Sequence, residues 1–481
     1  MRMFNWKRQH PSMILIEALR NLVYSIPPVI IFIISIGENL ATLSLTSIFL
    51  ILFAILVLFL IKATTNWYLY KYSYDKGYFH IKRGLLFKKE RSIKKERVQS
   101  VNVQTNILKR LLGVASVQVV TAGGGADSEL HLIAVTMAET KTIKSYLENG
   151  DENKELGIDD SDKTNYKDYN EYRMSFFDLF LAGATSGRFM LLFSIIAALF
   201  SQFYPYIPEE IMLYLVDQIT PNGSFDIGII IIILLGLFVL SWIVSTVIYV
   251  IQYTNFTVRR FQDDLTISWG IIEQKEFNVN INRVQALVVK EEILRQPLGL
   301  SALNIEVAGG ASKEQNFVTI LFPLLRVNEL KQFLNNIIPE YELPSEMTPL
   351  PKRSRKRYAI RATLPFIIVL VFLGAYNITY LWIGIIITPL AIALGISRYL
   401  NGKTSVINNQ LTIRFRNINR YMVFMKKNHI QALELSRNIF QNRSNLFTLK
   451  SSVLSSPTGK DFKLKDIENE QGQNLWHWFS R

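Results

Sequence analysis

Two stretches of the chain, Leu43–Ile61 and Ile227–Gln252, carry no charged residue and are long enough to cross a bilayer, whose hydrocarbon core takes roughly 20 apolar helical residues. Four further runs share this character: Leu19–Gly37, Phe189–Tyr204, Thr363–Tyr380 and Leu381–Ser397. Arg20 lies near the start of the first, and Pro27-Pro28 is expected to kink it. Taken singly, each run also fits a buried helix of a soluble core, the short Phe189–Tyr204 most readily. In sequence order they pair, and the pairs predict three transmembrane helical hairpins with six spans.

Charge distribution orients these hairpins. The connectors within pairs are short or acidic: Glu38–Leu43 has no base, and Pro205–Asp226 has Glu209, Glu210, Asp217 and Asp226 without Lys or Arg. The net charge of +14 therefore sits in the segments between pairs. By the positive-inside rule those segments and both termini are expected to be cytoplasmic, with the first run a retained anchor. A mean hydropathy of +0.19 with only 19% charged residues fits a chain divided between lipid and water.

The segments after the hairpins repeat. At an offset of 186 residues, Arg97-Val98-Gln99 matches Arg283-Val284-Gln285, Leu112-Gly113 matches Leu298-Gly299, and Ala122-Gly123-Gly124 matches Ala308-Gly309-Gly310. A third copy, 146 residues further on, keeps Ile430-Gln431 and puts Asn445 in place of Gly299, a substitution suited to a position of positive φ. It loses the Ala-Gly-Gly element at Leu454-Ser455-Ser456 and has diverged. Alternating stretches such as Val117-Val119-Thr121 predict strands, about seven per copy. Each copy then ends in helical periodicity: Ile143 and Leu147; Val327, Leu330, Phe333, Leu334 and Ile337; Leu475, Trp476 and Phe479. The expected module is a small barrel or sandwich plugged by one C-terminal helix.

The Arg-Val-Gln (or Ile-Gln) turn, the Leu-Gly that follows and the Ala-Gly-Gly strand end resemble the bacterial pleckstrin-homology-like (PH-like) domain of YdbS/YdbT-type membrane proteins, and His10-Pro11 also fits that family. The resemblance covers nearly the whole chain. It implies a membrane α plus β fold at the cytoplasmic face of a bacterial plasma membrane, three rounds of hairpin plus PH-like domain. It also implies an association with tolerance to membrane-active peptide antibiotics and brings no catalytic signature. The expected boundaries are an N-terminal segment and hairpin over 1–66, a PH-like domain over 67–150, an acidic linker over 151–173, a second hairpin over 174–253, a second domain over 254–342, a basic segment and third hairpin over 343–398, and a divergent third domain over 399–481. Met174–Arg188 is either an interfacial segment or the first turns of the third span.

Two basic clusters are candidate contacts for anionic lipid or for a partner. Lys352, Arg353, Arg355, Lys356, Arg357 and Arg361 immediately precede the fifth run, where a polybasic segment meets headgroups. Lys82, Arg83, Lys88, Lys89, Arg91, Lys94 and Lys95 lie on an expected hairpin of the first PH-like domain. Orientation alone, lipid recognition and an acidic protein partner each account for the first cluster; a solvated hairpin accounts for the second.

The absence of cysteine excludes disulfides, thiol nucleophiles and thiolate metal sites, and no two of the five histidines have metal-ligand spacing. Gly402-Lys403-Thr404 is not a P-loop, because Ser397 stands where the first glycine is required. No cofactor is expected. Six spans explain the basicity more simply than nucleic acid does. The expected function is a non-enzymatic scaffold whose partners are the membrane and a protein, such as a smaller PH-like membrane protein. The alternative is a component of a peptide or lipid export system, against which stands the lack of charge inside the apolar cores after Arg20.

Overall fold

The computed structural model describes residues 5–36, 45–85, 87–121, 129–148, 170–203, 208, 210, 227–308, 319–455 and 459–481. The first repeat runs β1 (Lys7–Arg8), α1 (Ser12–Ile36), α2 (Leu45–Leu69), β2 (Lys71–Asp75), β3 (Tyr78–Arg83), β4 (Lys89–Lys94), β5 (Val98–Asn106), α3 (Ile107–Leu111), β6 (Val114–Thr121), β7 (Glu129–Thr136) and α4 (Met137–Glu148). The second runs β8 (Asn170–Arg173), α5 (Phe176–Ala184), α6 (Arg188–Phe203), α7 (Ile227–Tyr253), β9 (Thr257–Phe261), β10 (Asp264–Trp269), β11 (Glu273–Asn280), β12 (Val284–Glu291), β13 (Leu300–Val307), β14 (Thr319–Arg326) and α8 (Leu330–Ile337). The third runs β15 (Thr348–Pro349), α9 (Ser354–Tyr376), α10 (Trp382–Asn401), β16 (Lys403–Ile407), β17 (Gln410–Arg416), β18 (Arg420–Lys426), β19 (Ile430–Ser436), α11 (Ile439–Asn442), β20 (Leu446–Val453), β21 (Lys460–Glu468) and α12 (Asn469–Ser480).

Six strands thus follow each pair of long helices, and a seventh, short strand precedes it. β1, β8 and β15 pair antiparallel with β2, β9 and β16. Each module therefore takes a sheet edge from before its own hairpin, and residues 170–173, read from sequence as the end of the acidic linker, form one of these edges.

The expectation of six spans needs correction. Among the described residues three helices are long and apolar enough to cross a membrane: Ile231–Tyr253, Ser354–Tyr376 and Trp382–Asn401. A fourth arises if Phe176–Ala184 and Arg188–Gln202, bent by 53°, count as one span. Helix α6 alone, with 16 residues, rises only about 24 Å, short of a ~30 Å hydrocarbon core. In the first hairpin α1 carries Glu17 and Arg20, and the apolar part of α2 that qualifies, Phe53–Leu69, is a short helix. The connectors 37–44 and 211–226 lie outside the described residues. α1 continues through Pro27 and Pro28 as one helix.

The chain divides into two compact units, Met1–Lys167 with Ile272–Val279, and Asp168–Ile271 with Asn280–Arg481. In the first, β1-β2-β3-β4 form one sheet and β5, β6 and β7 the other, with β11 laid antiparallel on β5. Phe79, Val117, Val119 and Leu132 fill the space between the sheets, and Ile143 and Leu147 of α4 close it. Met13 and Ile16 of α1 pack on Val114 and Ala134, joining the first hairpin to its module.

In the second unit β14-β13-β12-β18-β17-β16-β15 form a continuous sheet, because β12 of the second module pairs with β18 of the third. A single apolar core follows from this joint: Ala286 and Val288 of β12 pack with Leu411, Ile413, Val423 and Phe462. Leu330, Phe333, Leu334 and Ile337 of α8 are buried, whereas Val327 sits in the preceding turn at the surface. Leu475 of α12 is buried, but Trp476 faces out.

The repeated motif has a structural meaning. In each repeat a short turn leads into β5, β12 or β19, and the strand register shifts at Gln99, Gln285 and Gln431. The glutamine of the motif is thus the extra residue of a β-bulge, which sharpens the local twist at the corner between sheets. Arg97 is exposed, and Arg283 carries its carbonyl to Gln285, whose Nε2 donates to it at 3.1 Å. Gly113, Gly299 and Asn445 take φ of +66°, +63° and +49° at the next turn, the conformation that glycine and asparagine tolerate. Gly123, Gly124, Gly309 and Gly310 lie outside the described residues.

Candidate functional site

A second bulge recurs in the last strand of each module. Ile133-Ala134 stand opposite Ser116 alone, Pro323-Leu324 opposite Ala302, and Lys465-Asp466 opposite Thr448. A bulge frees backbone groups from the ladder, and here those groups meet polar side chains of the same repeat: Gln9 ahead of α1, Arg295 of the β12–β13 turn, and Ser354 and Tyr358 of α9. In the first repeat the buried Gln9 accepts through Oε1 from the Ile133 and Ala134 amides at 2.7 and 3.0 Å, and its carbonyl accepts from Trp67 Nε1 at 2.8 Å. In the second, Arg295, 3% exposed, donates to Pro323 O at 3.1 Å, to Ala182 O at 2.9 Å and to Thr185 Oγ1 at 3.2 Å. One guanidinium thereby ties strand to helix α5. In the third, Ser354 Oγ donates to Asp466 O at 2.9 Å, and Tyr358 OH donates to Lys465 O at 2.8 Å.

The third junction differs in charge. The bulge turns Asp466, at φ +60°, inward to full burial. Its carboxylate accepts from Arg361 Nη2 at 3.0 Å and Gln441 Nε2 at 2.8 Å, with Arg357 Nη1 at 3.8 Å. Next to this pair, on the side of Arg361 and Lys465, opens a cavity of about 590 Å³ whose rim also holds Arg398, Arg416 and Lys463. Asp461 is also on the rim but is engaged by Ser452 Oγ at 2.7 Å and Lys450 at 3.3 Å. Arg361 Nη1 and Arg416 Nε are buried without a hydrogen-bond partner. Burial, then the Arg398 charge, pushes the Arg416 pKa down; burial, then the Arg361 charge, does the same for Lys465. Cations crowded around a partly dehydrated space make a site for a compact anion, above all a phosphate that can receive a guanidinium fork.

The polybasic segment divides between this site, structural bonds and solvent. Arg361 reaches the cavity. Arg357 donates to Ser444 Oγ at 3.0 Å and to Phe440 O, and Arg353 pairs with Glu468. Lys352, Arg355 and Lys356 are exposed around the start of α9. The first-module cluster does form a hairpin, β3–β4, but does not converge. Lys82 pairs with Glu90, Lys94 lies 6.0 Å from the Tyr78 ring and Lys95 5.5 Å from that of Tyr146. Lys88 and Arg91 stay on the hairpin, while Arg83 and Lys89 border a smaller recess of about 390 Å³ beside Glu17, Asn66 and Ile133. Sequence reasoning missed Arg398, Arg416, Lys463, Lys465 and Asp466. The available signal was Phe462-Lys463-Leu464-Lys465, a period-two strand with one cationic face, followed by an acid that breaks the alternation. Among the described residues no group of His, Cys, Asp and Glu is placed to hold a metal ion.

The bacterial PH domain profile (bPH_2) matches residues 23–150, 191–340 and 363–481, once per repeat. The UPF0699 transmembrane protein YdbT of Bacillus subtilis (strain 168) is 27% identical over 489 aligned residues, covering 98% of each chain. No solved structure matches. With three matches that together cover most of its length, the chain is a membrane protein that belongs to the bacterial PH domain family.

Proposed function

We propose that this protein is a non-enzymatic scaffold of the bacterial plasma membrane whose third module holds an anionic phospholipid headgroup. The observation that carries the reading is the cavity of about 590 Å³ at the foot of α9 and α10, lined by Arg361, Arg398, Arg416, Lys463 and Lys465. Helices α9 and α10 are both apolar enough to span, which supports a cavity at the level where their basic ends would meet headgroups. In this reading the protein is multi-pass with its modules cytoplasmic, which the apolar α7, α9 and α10 and the basic segments beside them support. Modules joined by a shared sheet present one extended surface, which suits a protein partner such as a smaller PH-like membrane protein and gains from effective concentration. The physiological setting is tolerance to membrane-active peptides, in which a deletion strain becomes more sensitive.

The test is native mass spectrometry of the full chain in detergent, titrated with phosphatidylglycerol or phosphatidylcholine. Wild type retains phosphatidylglycerol preferentially, and Arg416→Ala with Lys465→Ala loses that preference. Equal retention of both lipids by wild type, or an unchanged preference in the double variant, rejects the headgroup reading.

A further inference from the structure

The second sheets of the first two modules do not end at their own strands. β11 lies on β5, with Glu276 opposite Val103, Lys275 opposite Gln104 and Gln274 opposite Thr105. β18 lies on β12, with Met422 opposite Val289, Tyr421 opposite Lys290 and Arg420 opposite Glu291. The repeats are offset by 186 residues from the first to the second and by 146 from the second to the third. These are therefore the same three pairings made twice: the third strand of one repeat adds, antiparallel and in one register, to the second sheet of the repeat before it. Repetition in a single register marks a designed joint, because a slip of one residue would turn every side chain to the other face.

The series leaves two ends. β19 is the counterpart of β5 and β12, and among the described residues nothing pairs with its outer edge. β4 is the counterpart of β11 and β18, and it too is the outer strand of its sheet among the described residues. We propose that β19 of one copy receives β4 of a second copy in the register of the internal joints. Ala432 then lies opposite Ile93, Leu435 opposite Glu90 and Ser436 opposite Lys89.

Three features favour a second copy as the occupant. Lys89-Glu90 of β4 repeats Lys275-Glu276, the dipeptide that β11 already presents to β5, so the charges that ordinarily discourage edge pairing are compatible with this joint. The register sets the exposed Glu434 of β19 against Arg91, a cross-strand pair of opposite charge. At the first joint Lys144, which follows the buried Ile143 on α4, reaches Glu276 at 2.6 Å. Trp476, which follows the buried Leu475 on α12, holds the same place in the third module and is 47% exposed. It stands beside the free edge as an apolar contact for the arriving strand. The β12–β18 joint already unites modules that each follow a hairpin, so it is compatible with a common membrane plane. Because the two surfaces differ, the contact is head to tail and extends into arrays. None of the cavity residues takes part, so this inference stands apart from the headgroup reading.

The chain has no cysteine, which makes register testable by disulfide formation. Leu435→Cys on one tagged copy and Glu90→Cys on a differently tagged copy are co-expressed and oxidised in native membranes. The mixed disulfide is expected for this pair and is lost when Arg91→Cys, on the opposite face, replaces Glu90→Cys. Equal yields from both pairs, or a disulfide from Leu435→Cys alone that reports β19 pairing with itself, overturn the proposal. Hydrogen exchange on the unmodified chain needs no variant. The alternate amides of Ile430–Ser436 that do not donate to β20 slow as the protein is concentrated; fast exchange at every concentration overturns the proposal equally.

Discussion

Replacing Asp466 by Asn keeps the shape of the third junction and removes its one buried negative charge. The carboxylate now receives Arg361 at 3.0 Å and Gln441 at 2.8 Å. An asparagine has one acceptor oxygen for the two donors, and its own NH2 would face either a guanidinium or the Gln441 amide. Breaking a buried ion pair costs ~3–5 kcal/mol. The Arg361 side chain is 36% exposed, and solvent screening brings the expected loss to about 2–3 kcal/mol. A chain of several modules has no single unfolding midpoint, so the assay is local: hydrogen exchange of β20 and β21 amides by mass spectrometry on the full chain in detergent. A factor of ten per 1.4 kcal/mol makes those amides exchange roughly 30–100 times faster. Asp461→Asn, at a solvent-exposed site, is the control and leaves them nearly unchanged. The variant cavity is more positive, so phosphatidylglycerol restores protection where phosphatidylcholine does not, by ordinary linkage. Exchange in β21 that matches wild type, or equal effects of Asp466→Asn and Asp461→Asn, refutes the reasoning.

Other perturbations follow from the same geometry. Arg295→Met strips donors from Ala182 O, Pro323 O and Thr185 Oγ1, at about 1 kcal/mol or more for each buried acceptor left alone; limited proteolysis should then cut near α5 at lower protease. Gly395→Val forces a Cβ to within 2.7 Å of Tyr358 O and 2.8 Å of the Ala359 Cα, so α10 moves off α9 at a local cost of about 1–3 kcal/mol, read as faster hydrogen exchange at the contacting turns of both helices. His131 of β7, opposite Gln118 of β6, has its pKa pushed down to about 4 by burial, then by the Lys109 and Arg20 charges. A depressed pKa means that the unfolded chain takes the proton first, so this contribution is whole above about pH 6.5 and is lost as pH falls toward 4, by about 3 kcal/mol at most. His131→Gln flattens that acid limb in a pH series of exchange rates over β6 and β7.

The modules were legible in the sequence because their signals are local. The Gln of the repeated motif, the glycines at 113 and 299 and the terminal helices each report a turn or a periodicity within a few residues. The joints were not legible, because β12 finds β18 more than a hundred residues away and nothing in either strand names its partner. The same distance hid the partners of the basic segment. The ion pairs of Arg353, Arg357 and Arg361 could not be read from the basic segment, because their counter-charges, Asp466 and Glu468, return only at the end of the last strand. The six apolar runs do correspond to helices, but length decides spanning, and α6 is too short to cross unaided. Trp476 fell on the expected apolar face of α12 and is instead exposed, since the core closes around Gly472 and Leu475.

The most direct measurement is a cryo-EM map of the full chain in nanodiscs containing phosphatidylglycerol. The prediction is headgroup density in the third-module cavity, its phosphate within hydrogen-bonding distance of Arg416 and Lys465, with α9 and α10 crossing the disc beside it. A cavity that is empty in the lipid disc, or one that opens away from the bilayer surface, contradicts it.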